Sequence, residues 1–449
     1  MRAAARAPGK AEGTALARVP VALVRLKVHA LDAGGHGIAR NAAGKVVFVE
    51  GALAGETVLA RLTRAKPKFD TARAERVLTA SSGRRAPPCP WYERCGGCAI
   101  QHADARTQVA AKQRWLEDCF ERIGRVAPEC MLAPVYGEEW GYRRRARLSV
   151  RYVEKKGGAL VGFRERRSTH VTDIQGCIVL PAHVSALIPP LRELVGGLSA
   201  PDRLPQIEVA VGDAAVALVL RHLLPLTDAD HGLLRGFADA HAVQLWLQPR
   251  GPDSVALFHP AQAEGLYYDL PEFGVRIAFR PTDFTQVNHA VNRLLVARTV
   301  RLLDPQPGER VGDLFCGLGN FSLPLATRGA QVIGLEGSRA LVERARQNAL
   351  ANGLVAQFEA ANLFEPNLAP WGPFDKLLVD PPREGAIELM KALPEAWPRR
   401  LVYVSCDAAT LARDAGVLVN TKGFRLTAAG VVNMFPHTAH VESVALFER

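Results

Sequence analysis

The chain has 449 residues, 48% hydrophobic and 22% charged, and a formal net charge of +11. That is the composition of a folded globular protein long enough for two to four domains. Eight cysteines in a chain of this length do not resemble a disulfide framework, and no apolar run reaches transmembrane length.

The opening stretch MRAAARAPGK is positively charged but lacks an apolar core, so no signal peptide is read and a cytoplasmic protein is expected. Charge is unevenly spread. Residues 1–180 carry 32 Lys and Arg against 17 Asp and Glu, and residues 181–449 carry 24 against 28. A basic front end is expected to meet a polyanion, although clustered arginines also occur as ordinary solvated charge.

In chain order, residues 1–13 read as a disordered basic arm. From residue 14 to 80, short alternating runs broken by Gly34-Gly35, Gly44 and Gly55 predict four or five strands of a small β-barrel. One of its loops carries Arg64, Lys66 and Lys68. Next comes PPCPWYERCGGC (87–98), with Cys89, Cys95 and Cys98 inside ten residues. Three thiolates make an incomplete metal site; Cys177, in TDIQGCIVL, is the expected fourth ligand and Cys130 its competitor. On spacing alone, zinc and an iron–sulfur cluster are equally acceptable.

A helix is predicted over 103–123, with Cys119 among its apolar positions and therefore in the core. The stretch from Trp140 to Val171 reads as strands, strongly basic around Arg143-Arg144-Arg145-Ala146-Arg147 with Tyr142 and Tyr152 interleaved. Residues 181–270 mix both signals without a catalytic motif, so 81–279 is taken as one mixed α+β central domain.

From about residue 280 the pattern becomes strand–helix alternation, which predicts a parallel sheet with crossover helices. In ERVGDLFCGLGNFSLPLA (309–326) an apolar strand runs into Cys316-Gly317-Leu318-Gly319-Asn320 and then a helix. Such a glycine turn lets backbone approach a ligand, but dinucleotide dehydrogenases and methyltransferases both use one. Ser322 stands where the dinucleotide fingerprint wants its third glycine, and Asp313 precedes the turn; both details favour S-adenosylmethionine over NAD. Glu336 ends the next strand, where an acid can accept from ribose hydroxyls or simply sit at a helix start. Asp380-Pro381-Pro382 closes another strand with a rigid turn at the sheet's C-terminal edge.

RRLVYVSCDAATLARD (399–414) places Cys406 at a strand-to-helix junction. The helix N-terminus is expected to lower the thiol pKa, with Asp407 capping the helix and partly opposing that effect. In VVNMFPHTAHVESVALFE (431–448), two apolar runs flank a turn and suit an antiparallel pair that closes the sheet. Glu442 follows the turn in an apolar context; spacing alone reads it equally well as a surface charge.

Together FTQVN (284–288), DLFCGLGNFSLPLA, LLVDPPREG, YVSCDAATLARD and NMFPHTAHVES resemble the RNA uracil-5 methyltransferases (the TrmA/RlmC/RlmD family) over nearly the whole chain. The resemblance implies a Rossmann-like class I methyltransferase domain at 280–449, with Cys406 as nucleophile and Glu442 as base. It assigns Gln286, Phe315, Asn320, Glu336, Asn362 and Asp380 to the S-adenosylmethionine pocket. It tips the four cysteines (Cys89, Cys95, Cys98, Cys177) toward a [4Fe-4S] cluster with a structural or RNA-positioning role. The front barrel resembles a TRAM domain, an RNA-binding module. Barrel plus cysteines is the combination of the large-subunit ribosomal RNA enzymes, nearest the RlmD branch, so 23S rRNA is the expected partner; no protein partner or membrane is implied. The chain departs from the family at Asp407-Ala408, where Asn-Pro is expected.

Other functions remain open on sequence: uracil-5 methylation of another RNA, such as a different rRNA uridine or tRNA, or a non-catalytic RNA-binding assembly factor. A radical enzyme would need C-x3-C-x2-C, and the chain offers C-x5-C-x2-C.

Overall fold

The computed structural model describes residues 23–449; the basic arm expected at 1–13 lies outside them. The chain divides into two compact units after Arg84.

The first unit is a closed five-stranded barrel of order β1-β2-β3-β5-β4. Its strands are β1 (Leu23–Leu31), β2 (Gly37–Arg40), β3 (Val46–Glu50), β4 (Thr57–Ala65) and β5 (Phe69–Thr79). Alternation sends Leu26, Val28, Ala39, Val47, Val49, Val58, Ala60 and Ala72 inside. Small side chains suit so narrow an interior. The buried carboxylate of Glu56, just before β4, takes Arg84 Nε at 2.5 Å and the Leu53 amide at 2.8 Å. Arg64, Lys66 and Lys68 are exposed at and after the end of β4.

In the second unit, α1 (Ala105–Cys119) starts on Asp104, whose side chain accepts from the Thr107 amide at 2.8 Å. A short strand, β6 (Cys130–Met131), follows. The central sheet has order β12-β11-β10-β9-β7-β8. Its members are β7 (Arg145–Val153), β8 (Gly158–Gly162), β9 (Gln206–Val211), β10 (Val216–Arg221), β11 (Gln244–Gln248) and β12 (Ala256–His259). Beyond α2 (Ala182–Ser185), helices α3 (Ile188–Gly197) and α4 (Asp228–His241) bury Ile188, Leu191, Val195 and Leu234 with Leu148, Ile207, Val209 and Leu218 of that sheet. A hairpin, β13 (Leu266–Leu270) with β14 (Val275–Phe279), leads to α5 (His289–Leu303).

The last sheet comprises β15 (Arg310–Leu314), β16 (Gln331–Glu336), β17 (Ala356–Ala360), β18 (Lys376–Val379), β19 (Arg400–Ser405), β20 (Arg425–Val432) and β21 (Glu442–Glu448), with β6 at its edge. Its order is β17-β16-β15-β18-β19-β21-β20-β6. The first five strands are parallel; β21 is antiparallel to both β19 and β20. The crossover helices are α6 (Ser322–Ala326), α7 (Arg339–Ala351), α8 (Ile387–Ala392) and α9 (Ala408–Asn420).

Successive residues feed opposite faces. Val311, Val332, Val402 and Val404 pack with Val296 of α5 and Ala345 of α7. Leu335, Leu377, Leu401 and Tyr403 pack with Leu389 of α8, Leu411 of α9 and Leu116 of α1. A helix and an edge strand from before residue 280 are thus integral to this layer, and 279/280 is not a break between compact units. The turn that follows α1 comes close to α9: a Cβ on Gly124 would stand 2.4 Å from the Ala412 carbonyl oxygen. Among the described residues no helix is long and apolar enough to cross a membrane.

Candidate active site

Parallel strands present their C-terminal ends together, and the loops leaving β15, β16, β18 and β19 enclose one cavity of about 540 Å³. After β15 the backbone turns through positive φ at Phe315 (66°), Gly317 (55°) and Gly319 (87°). Glycine supplies that conformation without steric cost at two of the three positions. The turn is held by a buried pair, Ser322 Oγ donating to Asp313. Burial, then the charge of Glu336, pushes the Asp313 carboxyl up to about 7 against the hydrogen bonds from Ser322.

Gln286, Phe315, Asn320, Glu336, Asn362 and Asp380 all line this cavity, and so do Cys406 and Glu442. Glu336 accepts from the Gly317 amide at 3.2 Å and the Ser338 amide at 2.9 Å. Asn320 Oδ1 takes the Tyr268 hydroxyl and Asn292 Nδ2, each at 2.9 Å. In FTQVN, Asn288 caps α5 through the Val291 amide at 3.2 Å, while Phe284 stands 71% exposed at the cavity.

Cys406 and Glu442 meet by register. β19 and β21 pair antiparallel, ending at Ser405 opposite Ser443. One further step sets Cys406 beside Glu442, on the same side of the pair. Glu442 is only 2% exposed. Burial, then the neighbouring Asp380, pushes its carboxyl up to about 8, against the lowering influence of Lys112. Asp380 is likewise pushed up to about 7, by burial and then by Asp313.

The lowered thiol pKa expected at Cys406 is not found. Burial first, then Glu442 and Asp380, pushes the thiol up to about 11, and Arg383 offsets this only in part. The helix terminus is outweighed because removing a thiolate from water beside two carboxyls costs more than one terminal dipole returns. Asp407 does cap α9, accepting from the Ala409 and Thr410 amides at 2.9 and 3.0 Å. The Asp-Ala departure therefore keeps the helix start: Asp caps as well as Asn, and Ala fits the first helical position.

Two cavity-wall residues and one buried lysine were not singled out from sequence. Arg383 and His440 are joined at 2.9 Å on the cavity wall. Lys112 is buried on α1. Its Nζ donates to Asn433 Oδ1 at 2.7 Å and to the Phe435 carbonyl at 2.9 Å. The signal was present: Val109, Lys112, Leu116 and Cys119 share one helical stripe, so a lysine occupies a core position.

Cys89, Cys95, Cys98 and Cys177 line a second cavity of about 490 Å³, which shares Arg383, Phe435 and His440 with the first. Cys130 is exposed in β6 and is not among the lining residues. Burial pushes the Cys98 thiol up to about 12 and the Cys177 thiol up to about 11, and the neighbouring cysteines add to both shifts. Among the described residues, no three His, Cys, Asp or Glu side chains are grouped to hold a metal ion.

The arginine run after Tyr142 is largely engaged within the fold. Arg144 pairs with Asp213 at 2.8 Å and Arg147 with Glu208 at 3.0 Å, while the buried Tyr142 donates to the Pro436 carbonyl at 2.9 Å.

A TRAM domain family model matches residues 20–75, and a tRNA (Uracil-5-)-methyltransferase model matches 272–364 and 367–449. The chain is 60% identical to the 23S rRNA (uracil(1939)-C(5))-methyltransferase RlmD of Thiobacillus denitrificans, over 93% of this chain and 98% of that protein. It is 58% identical to the same-named protein of Azoarcus sp., over 94% and 99%. A solved structure, the tRNA (uracil-54, C5)-methyltransferase of Pyrococcus abyssi in complex with S-adenosyl-L-homocysteine, shares the fold. Its TM-score is 0.72 at 24% identity, covering 94% of this chain and 100% of that one. With a TRAM barrel ahead of a methyltransferase sheet and such identity across nearly its whole length, the chain belongs to the RlmD family of RNA (uracil-C5)-methyltransferases.

Proposed function

We propose that the chain methylates C5 of a uridine in 23S ribosomal RNA with S-adenosylmethionine as donor, a substrate it would meet in the cytoplasm. The observation that carries this reading is the single cavity in which Cys406 and Glu442 stand with the six donor-pocket candidates.

C5 of uracil is too weak a nucleophile to take a methyl group unaided. Cys406 sulfur adds to C6, and the C5–C6 π electrons move toward the O4 carbonyl to give an enolate. Bound donor supplies an electrophilic methyl on a positively charged sulfur, whose charge favours the thiolate at Cys406. C5 of the enolate takes that methyl as the methyl–sulfur bond breaks, its electron pair staying on the sulfur as a neutral thioether. C5 then carries both a methyl group and its original proton. Glu442 takes that proton, the C5–C6 double bond re-forms, and Cys406 leaves as thiolate. Cys406 enters and departs in one protonation state, so the net proton released is the one Glu442 passes to solvent. The target base must leave its stack for C6 to reach Cys406 within this cavity, which favours a looped or splayed nucleotide.

The four cysteines fit a [4Fe-4S] cluster better than a single ion. Each cysteine of such a cluster binds a different iron, which four thiols lining one cavity would allow. Cys89, Cys95, Cys98 and Cys177 would hold it. Its contribution would be structural, beside Arg383, Phe435 and His440 on the wall shared with the reaction cavity.

The test is incubation with S-adenosylmethionine and unmodified 23S rRNA tritiated at uridine C5. Matched methyl incorporation and tritium release are expected at one mapped site. Incorporation without release would move the chemistry to another atom and overturn the assignment. Activity on tRNA but not on 23S rRNA would replace the substrate.

A further inference from the structure

A buried lysine needs a reason. Lys112 is 4% exposed on the core-facing stripe of α1. An ammonium there is costly unless it is hydrogen-bonded and meets an opposite charge. Two of its three donors are used on Asn433 and Phe435, at 2.7 and 2.9 Å. Those two acceptors belong to the turn that carries the catalytic edge. Val432 is the cross-strand partner of Glu442, and Asn433 is the next residue. Phe435 lines the reaction cavity.

The groups around Glu442 come from several elements. Asp380 follows β18 and Cys406 follows β19. Arg383 and His440 occupy the wall, and Lys112 reaches in from α1. Burial lowers the lysine to about 7 even with the charge of Glu442 favouring its ammonium form. In return Lys112 opposes Asp380, whose charge disfavours a second carboxylate.

We propose that Lys112 is a positioning residue for the proton-removal step: anchored on Asn433 and Phe435, it supplies the buried positive charge that allows Glu442 to stand ionised when the C5 proton must leave. This rests on the reading of Glu442 as the base. A purely structural lysine would hold the turn without coupling to any protonation state.

The two roles separate by pH. K112Q keeps a donor for Asn433 without the charge, K112M removes both, and K112R keeps the charge. Full-length protein is mixed with S-adenosylmethionine and 23S rRNA tritiated at uridine C5. Adduct formation on denaturing gels and tritium release are followed from about pH 6 to about pH 9.5. In K112Q and K112M, adduct should accumulate, and the midpoint for tritium release should move upward by about one pH unit, with release about tenfold slower near pH 7. K112R should restore the wild-type midpoint. If K112M fails to fold, K112Q carries the test.

A uniform loss in K112Q with an unmoved midpoint would overturn the role assigned to Lys112. E442Q is run alongside. If E442Q traps adduct while the K112Q midpoint stays put, only the lysine proposal falls. If E442Q releases tritium normally, the base assignment itself falls and the lysine proposal with it.

Discussion

Cys406 and Glu442 lie side by side one register step beyond the Ser405–Ser443 pair, at the open end of the antiparallel β19–β21 ladder. Residues 36 positions apart in the chain thereby line one cavity. A nucleophile and a proton acceptor on one strand pair need no loop closure to find one another.

If that pairing is the catalytic one, E442Q should form the methylated adduct and fail to release it, leaving a protein–RNA species stable on denaturing gels. C406S should form no such species and should lose methyl incorporation by at least about a thousandfold. Donor binding, measured calorimetrically, should be little changed in both. Normal turnover by E442Q would remove Glu442 from the mechanism.

The rate should depend on pH through the same carboxyl. As the proposed base Glu442 would act as the carboxylate, and burial followed by Asp380 pushes it up to about 8 in the free protein. The fraction ready to accept a proton therefore rises as pH rises through that value, and activity should climb from pH about 6.5 toward about 9. A profile that falls across this range would contradict the assignment.

If Cys89, Cys95, Cys98 and Cys177 hold the proposed cluster, its removal should separate the two cavities' roles. C98S should lose iron and sulfide, along with the visible absorbance of the cluster, when the protein is prepared without oxygen. Methylation should then fall more than donor affinity does, because the wall formed by Arg383, Phe435 and His440 is shared while Gln286, Asn320 and Glu336 line only the reaction cavity. Protein that binds no iron in its unsubstituted form, yet methylates normally, would refute the cluster.

Binding of 23S rRNA should weaken with salt, and the exposed Arg64, Lys66 and Lys68 should account for part of the slope. Replacing Lys66 and Lys68 by Glu should flatten the plot of log affinity against log salt by roughly 0.7 for each phosphate that is no longer neutralised. Arg144 and Arg147, already paired with Asp213 and Glu208, should contribute less. An unchanged slope in the Lys66/Lys68 variant would exclude this loop from the interface.

Local chemistry was legible in the sequence. Turn glycines and period-two alternation marked the barrel strands, and a glycine turn after an apolar strand marked the edge where the cavity opens. Asp407 was readable as a cap because capping involves only the next three residues. The same held for the antiparallel runs around the turn at 435–440.

What only the tertiary structure decided involves residues far apart in the chain. Cys177 rather than Cys130 lines the cavity with the other three cysteines, because β6 carries Cys130 to the edge of a different sheet. Two of the arginines in the basic run at 143–147 were found in ion pairs. The thiol at Cys406 is raised rather than lowered, because desolvation and neighbouring carboxyls depend on what packs around the helix end. Lys112 reaches Asn433 across 321 residues of chain. Secondary structure and caps follow from near neighbours, whereas burial, charge pairing and protonation depend on contacts that exist only once the chain has folded.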